Sequence, residues 1–140
     1  MMIISKENIT SIIPQRDPFI MIDQLMHSDE HGFVTTFEVT QGNLFLQDGK
    51  LSESALIENV AQSCAAGFGY LGSQQGDKEP RIGFIGAITK CHAISPAFLG
   101  YQLTTKISII QSFEQIHLVQ GEVFHENEKL LACQMKIVLA

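Results

Sequence analysis

One uninterrupted helical period, set among stretches of β-like alternation, constrains this chain more than any other feature. From about Glu53 to Leu71, the apolar residues Leu56, Ile57, Val60, Ala61, Cys64 and Phe68 recur at spacings of three and four with no proline between them, which predicts one long helix. At about 100° per residue these six share one broad arc, while Asn59, Gln62 and Ser63 lie on the other and Glu58 stands at the boundary. Periodicity alone therefore gives Glu58 a solvated position, because Asn59 and Gln62 share its arc. The run is also rich in small residues (Ala55, Ala61, Ala65, Ala66, Gly67, Gly69), which lets another backbone or a slender ligand come close.

Four β-like stretches follow the helix: roughly Arg81 to His92, Tyr101 to Ile110, Ile116 to His125 and Leu130 to Leu139. The last alternates most clearly, with Leu131, Cys133, Met135, Ile137 and Leu139 on one face, and Glu126 to Lys129 supply the turn before it. Upstream, Ser5 is placed to N-cap a short helix carrying Ile9, Ile12 and Ile13, which Pro14 ends. Phe19 to Met26 and Phe33 to Val39 read as a hairpin around the polar turn Ser28 to Gly32. The polar segment Ser73 to Pro80 reads as a loop within one domain spanning residues 1–140. The order predicts an α+β fold: a six-stranded, largely antiparallel sheet with one long helix in its concave face.

Hydrophobic residues make up 45% of the chain and charged residues 17%, enough to bury a core and far from a disordered composition. The net charge of -6, with nine Lys and Arg scattered singly, lacks the basic footprint of a nucleic-acid binder. An acidic carrier protein would meet the same repulsion at long range and would need a local basic patch. Cys64, Cys91 and Cys133 form no CxxC pair and are odd in number, so neither a disulfide framework nor a metal site is expected, and a reducing cytoplasm fits. No stretch approaches the roughly 20 apolar residues of a membrane span, so a soluble protein is expected.

Three separated segments resemble one family. IIPQRDPFIMID, from Ile12 to Asp23, resembles the LPHRxPFLxVD signature of FabZ/FabA-type β-hydroxyacyl-ACP dehydratases, with Gln15 in place of the usual histidine. ALIENVAQ, from Ala55 to Gln62, is similar to the family's VLIIEAMAQ helix start, with Glu58 and Gln62 in register. GFIGAITKCHAISPAFLGYQL, from Gly83 to Leu103, is similar to FAGIDKARFRRPVVPGDQL and keeps Phe84, Gly86, Lys90, Pro96, Gly100 and Leu103. The resemblance implies a hotdog fold, a dimer joined sheet edge to sheet edge, no cofactor, and a (3R)-hydroxyacyl thioester on an acyl carrier protein or coenzyme A as substrate.

That chemistry needs a base for the C2 proton, an acid for the departing C3 hydroxyl, and donors for the thioester oxygen. The resemblance assigns the acid to Glu58, and backbone N–H groups near Ser54, Ala55 and Leu56 at the positive helix end to the carbonyl. Gln62 is placed to support Glu58 at i,i+4. Arg16, Phe19 and Gly86 are the remaining candidate substrate contacts, Arg16 toward a phosphopantetheine arm or the carrier.

One departure matters. The family's catalytic histidine sits in a GHFPxxPxxPG loop before the helix, and the stretch from Asn43 to Ser54 reads NLFLQDGKLSES, with no histidine. It resembles instead a divergent hotdog branch found with aryl-polyene-type lipid clusters, with the pattern FLxDGxLxxxxxIExxAQ matched at Phe45, Leu46, Asp48, Gly49, Leu51, Ile57, Glu58, Ala61 and Gln62. Asp48-Gly49 reads most simply as a tight turn. Of the five histidines, His27 and His31 flank a turn and His117 and His125 share a late strand, which leaves His92 nearest to the family's site strand. Two further readings stay open: an acyl-binding subunit of a heterodimer whose partner supplies the histidine, and a hotdog thioesterase.

Overall fold

The C-terminal alternation and the long helical period set the architecture, because each has one apolar surface to bury against the other. The computed structural model describes residues 2–78 and 83–140. Strands β1 (Gln24–Ser28) and β2 (Gly32–Glu38) form the predicted hairpin, two short strands β3 (Leu46–Gln47) and β4 (Lys50–Leu51) follow, and helix α1 runs Glu53–Gln74. Beyond it come β5 (Gly83–Ala93), the short β6 (Ala97–Phe98), β7 (Gln102–Phe113), β8 (Ile116–His125) and β9 (Glu128–Leu139). The main sheet has six strands in the order β1-β2-β7-β8-β9-β5, all neighbours antiparallel.

The register explains how the sheet receives the helix. On its inner face one row, Leu25, Thr35, Thr105, Val123, Leu131 and Ala93, runs across all six strands. A second row reaches Gly121, where a Cβ would come within 2.4 Å of the Val60 side chain, so this glycine lets α1 lie close to the sheet. The inward face of β9 is as the alternation predicts: Leu131, Cys133, Met135, Ile137 and Leu139 are all buried.

The α+β fold with one long helix against a six-stranded antiparallel sheet is therefore present, and three expected elements differ. The N-terminal turn is a 3-10 helix over Lys6–Ser11, and the Ser5 side chain makes no cap bond to its backbone. Residues Phe19 to Asp23 are not strand: the Phe19 carbonyl and both backbone groups of Met21 bond to side chains of α1, and only the Asp23 N–H reaches β2, at the Thr36 carbonyl. The loop expected from Ser73 begins as the last helical turn, since α1 continues to Gln74. The ends of that loop at Glu79 and Pro80, and of the strand expected from Arg81, lie outside the described residues. Asp48 and Gly49 both have positive φ, 53° and 75°, and form the two-residue turn between β3 and β4. No helix among the described residues is long and apolar enough to cross a membrane.

Candidate active site

The helix face that periodicity assigned to water is the one most tightly held by protein. Asn59, Gln62 and Ser63 are fully buried. Asn59 Nδ2 donates to the Met21 carbonyl at 2.7 Å, and Asn59 Oδ1 accepts from the Thr105 hydroxyl at 2.5 Å. Ser63 Oγ donates to the Asn59 carbonyl at 2.7 Å and lies 2.6 Å from Thr35 Oγ1. Thr35 and Thr105 are directly opposite each other on β2 and β7, so a cross-strand threonine pair satisfies the helix's polar arc.

Gln62 carries the arrangement from the core to the open strip. Its Oε1 accepts from the Met21 N–H at 2.6 Å, and its Nε2 donates both to the Phe19 carbonyl at 2.8 Å and to Glu58 Oε1 at 2.9 Å. The Met21 N–H assigns the amide orientation, because only the carbonyl oxygen can accept from it. Glu58 is thereby held by a donor one helical turn away, and it is half-buried along with Ile57, Ala61 and Ala65 on the single strip of α1 that is not enclosed.

That strip opens on a cavity of about 90 Å³ between α1, the Pro14–Gln15 segment and the inner faces of β5 and β9. Glu58, Ala61, Ala65 and Phe68 line it along the helix, Ile85 and Ile137 from the sheet, and Glu58 is its only ionisable lining residue among the described residues. A carboxylate at one end of an otherwise mostly apolar slot can hold or release a proton beside a ligand whose chain lies along small side chains.

The remaining candidate residues lie around this cavity without lining it. Ser54, Ala55 and Leu56 form the first turn of α1, where the Ala55 N–H is capped by Ser52 Oγ at 3.2 Å and the Leu56 N–H bonds to the Ser52 carbonyl. Leu56 faces a second cavity with Lys50 and the Ala93–Pro96 turn. Arg16 is exposed and its guanidinium donates to the carbonyls of Ile13 and Gln15, both at 2.8 Å, so it braces its own loop. Phe19 contributes its carbonyl to Gln62 while its side chain is exposed. Gly86 sits at a β5 irregularity beside the Lys136 side chain. Gln15, noted in the sequence only as a departure from the motif, lines the cavity itself.

None of the five histidines lines the Glu58 cavity. His27 pairs with Asp29 at 2.8 Å, His31 stands by Glu30, and His125 stacks on Tyr101 with ring centroids 3.5 Å apart. His117 packs on the Phe68 ring, and burial lowers its pKa below the ordinary 6.5. His92 is exposed on β5, opposite Ala132.

The family model described as ApeP-like, ApeP dehydratase, matches residues 7–139. This chain belongs to the ApeP-like dehydratase family. As an ApeP-like protein it is similar to the 3-hydroxyacyl-[acyl-carrier-protein] dehydratase FabZ of Oceanobacillus iheyensis, at 26% identity over 96% of each chain. In structure it resembles a chain of the dehydratase heterocomplex ApeI:P from Xenorhabdus doucetiae, with a TM-score of 0.87 and 18% identity over 94% of this chain and 90% of that one. A hypothetical thioesterase with coenzyme A from Streptococcus pneumoniae shares the fold at a TM-score of 0.66 and 13% identity, over 83% of this chain and 84% of that one. The ApeP-like chain is thus a divergent FabZ-like hotdog protein.

Proposed function

We propose that this chain is the carboxylate-bearing subunit of a hotdog dehydratase that removes water from (3R)-hydroxyacyl thioesters, and that a second hotdog subunit supplies the histidine. The observation that carries this reading is the pairing of a positioned Glu58 with a cavity that no histidine of this chain lines. The likeness to FabZ supports a carrier-bound hydroxyacyl substrate, and the likeness to a chain of a dehydratase heterocomplex supports a partner of a different kind.

In this reading the partner's histidine takes the C2 proton and Glu58 gives its proton to the C3 hydroxyl. The C3–O bond breaks, the C2–C3 double bond forms, and water leaves. Gln62 keeps the carboxyl at the mouth of the slot, and the positive end of α1, whose Ala55 and Leu56 N–H groups are already bonded to Ser52, favours the developing enolate charge through the helix dipole alone. Strand β5 ends the sheet with an unpaired edge, and Phe84, Ile85 and Ile88 on it are exposed, which suits edge-to-edge pairing with the partner.

The test is reconstitution with a short (3R)-hydroxyacyl-carrier thioester. The chain mixed with a histidine-bearing hotdog partner should form the 2-enoyl product, and Glu58→Gln in this chain should lower kcat by at least about 100-fold without loss of the complex. Turnover unchanged in Glu58→Gln, or absent with every such partner, sinks the proposal. Release of free thiol without enoyl product would point to hydrolysis instead.

A further inference from the structure

The slot that runs from Glu58 along α1 has a second cavity beyond its far end. Glu58, Ala61, Ala65 and Phe68 border the first, of about 90 Å³, and Phe68, Leu71, Gly72 and Gln75 border the second, of about 320 Å³. The two sets follow one another along one side of the helix and overlap at Phe68. On the sheet they overlap again at Leu139, since Ile137 and Leu139 border the first cavity and Ile109 and Leu139 the second. Phe68 and Leu139 therefore form the partition between the two cavities.

The Phe68 ring is held in that position. It is buried, meets Phe33 edge-on with centroids 5.0 Å apart, and lies against the His117 ring at 4.5 Å. His117 is itself held by Ser112, with 2.7 Å between Nδ1 and Oγ. Phe33 has no space to yield toward the helix, because its ring already fills the place where a Cβ on Gly67 would be. Braced on two sides, the ring closes the slot and does not swing clear. Phe68 stands ten residues beyond Glu58, roughly 15 Å along the axis at 1.5 Å per residue. A chain whose C3 oxygen lies at Glu58 passes the small side chains of Ala61 and Ala65 and ends against the ring. An alkyl tip forced past it would displace buried packing and meet the polar groups of Ser112 and Glu30 in the second cavity.

We propose that Phe68 is a specificity residue that sets the length of acyl chain the Glu58 slot accepts. The inference rests on the acyl-thioester reading above and adds a substrate class: short chains, which end before the ring, are favoured over long ones.

The experiment measures binding, apart from turnover, by calorimetry on the full chain in complex with its hotdog partner. The probes are unreactive alkyl-pantetheine thioethers, from butyl to dodecyl. Wild-type affinity should climb about fourfold with each methylene that is buried, then level or fall once the tip reaches Phe68. Phe68→Leu and Phe68→Ala should carry the climb on to longer chains, raising the affinity ratio of the longest probe to the shortest at least about tenfold over wild type. Ala65→Val keeps the Phe68 ring and narrows the slot before it, so the climb should end at a shorter chain. This variant and Phe68→Leu remain decisive if Phe68→Ala does not fold. A climb that continues to the longest probe in wild type, or a limit that stays at the same length in the variants, overturns the inference and leaves the dehydratase reading standing. Wild-type binding of no probe at any length overturns both.

Discussion

At the scale of single residues, the polar side chains around α1 divide into those that hold the structure and those left with capacity to spare. Asn59, Gln62, Ser63, Thr35 and Thr105 satisfy one another or the backbone of residues 19–21, so their burial is compensated. Glu58 retains its second carboxylate oxygen, and the Gln15 amide oxygen is buried with no partner among the described residues. His117 is a different case, held against Phe68 with its Nδ1 2.7 Å from Ser112 Oγ and its pKa lowered by burial. A lowered folded pKa means that the unfolded chain takes up the proton first as pH falls. The stability His117 contributes is therefore present above 6.5 and lost as pH falls through the lower folded value. Urea unfolding at stepped pH should show stability declining through this window, and His117→Gln should flatten that decline; an unchanged slope would assign it to other groups.

At the scale of elements, α1 behaves as an axle enclosed on most of its circumference, and its small residues mark the closest approaches. A Cβ on Gly67 would meet the Phe33 ring at 2.1 Å, and that ring is itself packed edge-on against Phe68 with centroids 5.0 Å apart. Alanine is the better helix former by about 1 kcal/mol. Steric conflict with a buried ring that has no room to retreat outweighs that gain, and Gly67→Ala should lower stability by about 1–3 kcal/mol. The urea midpoint measures this, and a rise would show that Phe33 moves freely. The small-residue stripe was legible in the sequence as a place of close approach. Which partner approaches was not, because Phe33 and Ile12 reach the helix only through tertiary packing.

At the scale of the whole molecule, the sheet ends on one side in β1, where Leu25 is bridged by Ile4, and on the other in β5. An exposed edge strand with exposed Phe84, Ile85 and Ile88 is a template for pairing unless something covers it. Light scattering should give a mass near twice the 15.5 kDa of the chain, alone or with a hotdog partner of similar size. Replacing Phe84 and Ile88 together by lysine should return it to the single-chain mass, since edge lysines oppose strand pairing. A dimer that persists in this variant would place the interface elsewhere.

The sequence by itself determined the element order, the helix, the inward face of β9 and the family, because periods of 2 and 3.6 residues are local properties of the chain and the dehydratase-like motifs are short and separate. Glu58 and Gln62 were also legible, through their register in the helix motif. Only the tertiary structure decided that Asn59, Gln62 and Ser63 are buried and not solvated, since the partners that satisfy them, Met21, Thr35 and Thr105, are 28 to 46 residues away. It also turned Gln15 from a motif substitution into a cavity residue. A hydrogen bond's absence can be recognised only when every neighbour in space is known, and sequence spacing carries no such information.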